Sequence, residues 1–164
     1  MREDLEEELQ TRYIFMRRSD MDTIYEKYGC QCENGWYNLI DETCSRIQAV
    51  YDEMLIAPSL KILQIKEKFG TLRFYFELPT RDETLRERIT RIVDEAQVKS
   101  AQICERCGSV NREKKIRTED YYQTLCDACF QENIDEDPEE VFTKYAMRTG
   151  RMTLEDFLNC KQRN

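Results

Sequence analysis

Two cysteine pairs of identical spacing constrain this chain more than any other feature. Cys104-Glu105-Arg106-Cys107 and Cys126-Asp127-Ala128-Cys129 are separated by 18 residues. A CxxC turn aims two thiolates at one point, and two such turns supply the four soft donors that Zn²⁺ takes in a tetrahedron. Gly108, directly after the first pair, suits a tight knuckle. A redox CxxC would need only one pair, set at a helix start after a strand. With all four positions filled by protein, no place is left for water or substrate, and the expected role is structural. The expected cofactor is one structural Zn²⁺ held by Cys104, Cys107, Cys126 and Cys129.

The chain has 164 residues, eight cysteines and no histidine. Without imidazole there is no Ser-His-Asp or Cys-His catalysis and no His-containing metal site. No P-loop or nucleophile motif takes their place, so a non-enzymatic protein is expected. The net charge of −8 leaves little to neutralise phosphates, which argues against duplex DNA as a partner. No uncharged apolar run is long enough to span a membrane. The opening Met1-Arg2-Glu3-Asp4-Leu5-Glu6-Glu7-Glu8 is too acidic for a signal peptide. The expected location is the cytoplasm, where eight cysteines should be thiols or metal ligands.

Periodicity organises the rest. Residues 1–20 read as an acidic helical start running into Tyr13-Ile14-Phe15-Met16, and a loop spans Gly29 to Gly35. Trp36, Leu39, Ile40, Cys44, Ile47, Val50, Tyr51 and Met54 then recur at helical steps. Leu72, Phe74, Phe76 and Leu78 alternate with Arg73, Tyr75 and Glu77, a period of two. With Ile62-Leu63-Gln64-Ile65 upstream and Phe69-Gly70-Thr71 as the turn, residues 60–78 predict an antiparallel hairpin. A second helix follows Pro79, with Thr80 and Glu83 spaced as a capping box and Leu85, Ile89, Ile92, Val93, Ala96 and Ile103 as its stripe. The fold class is α+β: a small antiparallel sheet packed by amphipathic helices on one face, joined to a four-cysteine zinc-ribbon module. The divisions expected are a body over 1–103, the metal module over 104–131, and an acidic linker with docking helices over 132–164. Asp137-Pro138 and Thr153 to Asp156 mark the starts of those last helices.

Two resemblances attach to these residues. The cysteine module, with Leu125-Cys126-Asp127-Ala128-Cys129-Phe130 opening a helix, resembles treble-clef or GATA-type zinc fingers over about 27 residues. GATA-type fingers bind DNA, but here five bases between 104 and 130 are balanced by five acids. The second resemblance is wider. Cys32-Glu33-Asn34-Gly35-Trp36-Tyr37, the run Gln64-Ile65-Lys66-Glu67-Lys68-Phe69-Gly70-Thr71-Leu72-Arg73-Phe74-Tyr75 and the Cys104 knuckle together resemble a group of small uncharacterised bacteriophage and prophage proteins. That group carries a C-G-D-G-W loop, a K-E-K-F-G-x-L-R-F-Y hairpin and a zinc ribbon in this order. Glu33-Asn34 stands where the group has Gly-Asp. The resemblance implies an accessory phage protein in the host cytoplasm and no particular reaction.

Residues 61–78 hold four bases and two acids inside an acidic chain. Lys66 and Lys68 share one strand face, as do Arg73 and Tyr75. Bases interleaved with an aromatic ring can hold a phosphate by charge and a base by stacking. An ordinary solvated face with edge lysines gives the same alternation. Trp36, after Asn34-Gly35 at a loop–helix junction, either anchors the core or floors a pocket. Cys30 and Cys32, with Cys44 and Cys160, lack a matching CxxC for a second metal, and Cys44 falls on an apolar stripe. The partners expected are a host protein or a small nucleotide-like ligand, with a homo-oligomer also open. The alternative is a zinc-finger protein binding single-stranded or regulatory nucleic acid, and a carboxylate–metal nuclease ranks last.

Overall fold

The computed structural model describes residues 1–19, 21–110 and 123–136, the side chains of the last four excepted. Helix α1 (Glu3–Arg12) leads through a 3₁₀ turn (Ile14–Met16) to the short α2 (Ile24–Tyr28) and β1 (Cys30–Gln31). A second 3₁₀ turn (Asn34–Trp36) opens α3 (Tyr37–Met54), followed by β2 (Lys61–Lys68), β3 (Thr71–Glu77), α4 (Glu83–Ser100) and α5 (Asp127–Glu136). The expected finger hairpin and the helices beyond 137 lie outside the described residues.

The hairpin forms where alternation placed it. Lys66 stands opposite Arg73 and Ile65 opposite Phe74, with an irregularity between Ile62 and Gln64. Phe69 and Gly70 both have positive φ (57° and 71°), as a two-residue type I′ turn requires to match strand twist. The sheet is not purely antiparallel. β1 pairs in parallel with β2, Cys30 facing Ile65 and Gln31 facing Lys66, in the order β1-β2-β3. A two-residue strand carries no readable period, so nothing local announces it.

Both predicted stripes are inside. Ile40, Cys44, Ile47 and Tyr51 of α3 and Leu85, Ile89, Ile92 and Ala96 of α4 join Ile62, Ile65, Leu72 and Phe74 in one core. Exposed ion pairs Lys99–Glu42, Arg46–Glu95 and Arg88–Glu53 run along the two helices in opposite sequence order, so α3 and α4 are antiparallel. Such pairs contribute roughly 0–1 kcal/mol each and serve mainly to mark the alignment. Helix α4 also meets both ends of the terminal strand: Leu72 N–H donates to Ser100 Oγ (2.9 Å), and the Arg86 guanidinium donates to Leu78 O (3.3 Å). Those bonds blunt the outer strand against pairing with another chain.

Two other expectations change. The cap of α4 is Asp82, whose carboxylate accepts from Leu85 N–H at 3.0 Å, while Thr80 Oγ1 accepts only from Asp82 N–H. Asp82 has the extended backbone that leads into the helix (φ −75°, ψ 102°), so the capping position falls two residues later. Asp82→Ala should therefore cost about 1 kcal/mol in urea unfolding, and Thr80→Ala only a few tenths. Helix α5, which begins in the metal module, continues past residue 131 to Glu136, so the first half of the acidic run is helix.

Candidate metal centre

The first cysteine pair sits on a closed knuckle. Gly108 N–H donates to Cys104 O and Cys104 N–H to Ser109 O, both at 2.8 Å. Gly108 takes φ +79° to complete the turn. The second pair straddles the start of α5, where Phe130 N–H donates to Cys126 O at 2.9 Å. The ligand atoms of Cys104, Cys107, Cys126 and Cys129 all lie within 4.8 Å of one another, an arrangement able to hold a metal ion. Cys107 Sγ stands 3.7 Å from Cys126 Sγ. Cys107 is exposed and the other three are buried.

The Cys129 backbone amide first, with the side chains of Ser109, Cys129 and Cys107 adding to it, pulls the Cys126 thiol down to about 6. Burial pushes Cys104 and Cys129 up. A dication held there would favour the thiolate at every position and override these differences. Among the described residues, Leu125 and Phe130 are the apolar side chains that join the cysteines in the module's own small cluster.

The loop before α3 is fastened to this knuckle. Gly35 N–H donates to Glu105 O at 2.7 Å, and Trp36 Nε1 donates to Ile103 O at 3.0 Å. Glu33 N–H donates to Glu105 Oε1 at 3.0 Å, and Gln123 Nε2 donates to Glu33 Oε1 at the same distance. On the other side Glu105 N–H reaches Thr124 O (2.8 Å), and Thr124 Oγ1 donates to Gly70 O in the hairpin turn (2.6 Å). The loop, the turn and the knuckle, distant in sequence, therefore meet at Glu105. That side chain is 2% exposed and its Oε2 has no partner among the described residues. Burial first, with Glu33 and Glu67 adding repulsion, lifts its carboxyl to about 7. Sequence reading missed Glu105 because the interior of a CxxC is usually solvent-facing. Its only signal was an acid between two ligands.

The basic residues lie elsewhere, on the sheet face turned away from the core. Register places Lys66 beside Arg73, Gln64 beside Tyr75 and Lys68 beside Thr71. Gln31 adds the third strand, its Oε1 accepting from Gln64 Nε2 at 2.6 Å. The Lys66 ammonium is 6.0 Å from the Tyr75 ring centre, and that of Lys68 is 5.2 Å from the Phe69 ring. Tyr75 and Phe69 are both exposed. Glu67, by parity on the opposite face with Leu72, accepts Gly70 N–H instead. Trp36 leaves this group. It is completely buried and its indole N–H is taken by Ile103, so it anchors the core and meets no ligand. Gln31, Gln64 and Phe69 were missed as neighbours of the basic row, Gln31 because its strand was not foreseen.

Cys30, Cys32 and Cys44 are buried thiols whose ionisation burial opposes. The four-cysteine group is the one metal-ligand cluster among the described residues, and Cys160 lies outside them. No helix among the described residues is long and apolar enough to cross a membrane.

The fold and site thus define an α+β protein with a four-cysteine centre able to bind a metal. No family model, curated protein or solved structure matches the chain.

Proposed function

We propose that this is a non-enzymatic binding protein with one structural Zn²⁺, whose outer sheet face takes a small phosphate-bearing, nucleotide-like ligand. Zinc is supported by the donor set. Four thiolates at Zn–S distances of about 2.3 Å in a tetrahedron lie about 3.8 Å apart, against 3.7 Å between Cys107 and Cys126. A cage closed by four sulfurs leaves the ion no open position for catalysis.

One observation carries the ligand reading. Lys66, Lys68 and Arg73 stand together, and none is ion-paired with a carboxylate among the described residues, although the chain has 33 acids. Like charges directly across a ladder destabilise it, so Lys66 beside Arg73 is a local cost that an anion would relieve. Tyr75 supplies a ring for stacking at the same place. An accessory role in a phage or prophage, as the sequence resemblance implies, suits a protein that holds a ligand without changing it.

The test is calorimetric titration of the metal-loaded protein with AMP and with inorganic phosphate. AMP should bind more tightly than phosphate. Lys66→Ala/Arg73→Ala should weaken both at least tenfold, and Tyr75→Ala should weaken AMP alone. Equal binding by the double variant and the parent chain would overturn the reading. A short single strand preferred over AMP, with affinity falling steeply in salt, would move the assignment to nucleic acid. A host protein is a second reading, favoured by Met21, Ile24 and Tyr28, three exposed apolar side chains at and beside α2.

A further inference from the structure

We propose that metal loading of the four-cysteine centre is a latch that fixes two remote backbone segments, the Glu33–Trp36 loop and the Phe69–Gly70 turn. The inference goes beyond the ligand reading and does not depend on it. Its basis is a continuous chain of hydrogen bonds. Gly35 N–H donates to Glu105 O and Glu33 N–H to Glu105 Oε1, so the loop is held by a residue inside the first CxxC. Glu105 N–H then reaches Thr124 O, and Thr124 Oγ1 holds Gly70 O, so the turn is held by a residue two positions before Cys126. Both holding residues belong to the module, Glu105 inside the first cysteine pair and Thr124 two positions before the second.

Among the described residues, the module has little except the four-cysteine centre to fix these two residues. Its cluster among them contains two apolar side chains besides the cysteines, and a metal site in such a segment supplies folding free energy itself. The body, in contrast, keeps a separate core of its own. Without the ion, the knuckle loses the constraint that holds Glu105 and Thr124 together, while β2, β3, α3 and α4 retain their packing. The loop and the turn are the parts of the body left with unsatisfied partners. The turn is also strained, because Phe69 is a non-glycine residue at φ +57°. Released from Thr124, it has the least reason to stay in place. Lys68 and Phe69 move with it, so the end of the basic face depends on a metal that touches neither residue.

Amide hydrogen exchange on the full chain tests this, with the thiols kept reduced, before and after zinc is removed by chelation. Protection should fall at least tenfold on metal removal at the Gly35 amide, which donates to Glu105 O, and at the Gly70 amide, which reaches Glu67 Oε1 only while the turn stays closed. Ile65 and Ile89 in the body core should change less than twofold. Unchanged protection at Gly35 and Gly70 would overturn the latch. Equal loss at Ile65 and Ile89 would also overturn it, by showing that the metal holds the whole fold. Thr124→Val separates the two arms in the metal-loaded protein. With cobalt in place of zinc, the thiolate charge-transfer band of the variant should match that of the parent chain. Exchange at Gly70 should rise at least threefold and Gly35 should be unaffected. A Thr124→Val chain with the cobalt band intact and Gly70 unchanged would show that the turn is held independently of the module. A calorimetric AMP titration of the metal-free chain then reads the ligand face separately, whatever the exchange result.

Discussion

Replacing Cys126 by serine should reduce bound zinc from one ion per chain to less than a tenth, read by native mass spectrometry after purification without chelator. A hydroxyl is a poor donor to zinc beside three thiolates, and Cys126 is the ligand whose thiolate the start of α5 already favours. Structural zinc in small modules is worth on the order of 10–16 kcal/mol at neutral pH, far more than burial of Leu125 and Phe130, the apolar partners among the described residues, supplies. The module should unfold while α3 and α4 persist, because their core is a separate cluster. Far-ultraviolet dichroism should therefore keep most of its helical signal. Thermal unfolding should keep a main transition, lowered because the fastenings at Gly35 and Thr124 are gone. A variant with a full zinc ion and an unchanged melt would show that Cys126 is no ligand.

Gly35→Ala should be the most damaging single change outside the cysteines. An added methyl would stand 2.3 Å from Cys104 O and 2.4 Å from both Glu105 O and Gly108 N. All three are backbone atoms of the knuckle that presents Cys104 and Cys107, so none can rotate aside. Either the loop withdraws, losing the Gly35–Glu105 and Trp36–Ile103 hydrogen bonds, or the knuckle deforms and weakens the metal. A loss of about 3 kcal/mol or more is expected. At roughly 2–4 °C per kcal/mol for a chain of this size, the melting temperature should fall by about 6–12 °C. Zinc should also dissociate faster to a competing chelator. Asn34→Ala, at an exposed neighbour that accepts Arg2 N–H, should lower the melt by no more than a few degrees. A Gly35→Ala protein melting within 2 °C of the parent chain would remove the close approach from the account.

The parts legible in sequence were those whose signal is local. Alternation through Leu72, Phe74 and Leu78 and helical spacing through Ile40, Cys44 and Ile47 named the buried faces, because burial repeats with the geometry of each element. The four ligands were legible for the same reason: a CxxC is complete within four residues. What escaped depends on partners far along the chain. β1 exists only because Cys30 meets Ile65, and Glu105 matters only because Glu33 comes to it. Helix α2 is different, since Thr23 and Glu26 form a capping box that the sequence displays and five residues simply gave too short a stripe to notice. Asp82 took the cap from Thr80 because both residue types suit it, and backbone direction alone decides between them. Lys66, Lys68, Arg73 and Tyr75 do come together, while Trp36 faces inward, an outcome that a single aromatic at a helix start does not reveal.

The fastening of Glu33 and Gly35 to Glu105 also imposes an order on manufacture. A ribosome adding about 5–20 residues per second delivers residue 105 about 4–14 s after residue 35. Throughout that interval the nascent loop has two amides whose eventual acceptors do not exist. The hairpin, whose strands are joined by two residues, can close meanwhile. Gln123 and Thr124 arrive later still, and the second cysteine pair after them. The four-cysteine centre thus cannot close around a metal before Cys129 has emerged, and a chain without the metal would be built in its first hundred residues and open at the seam.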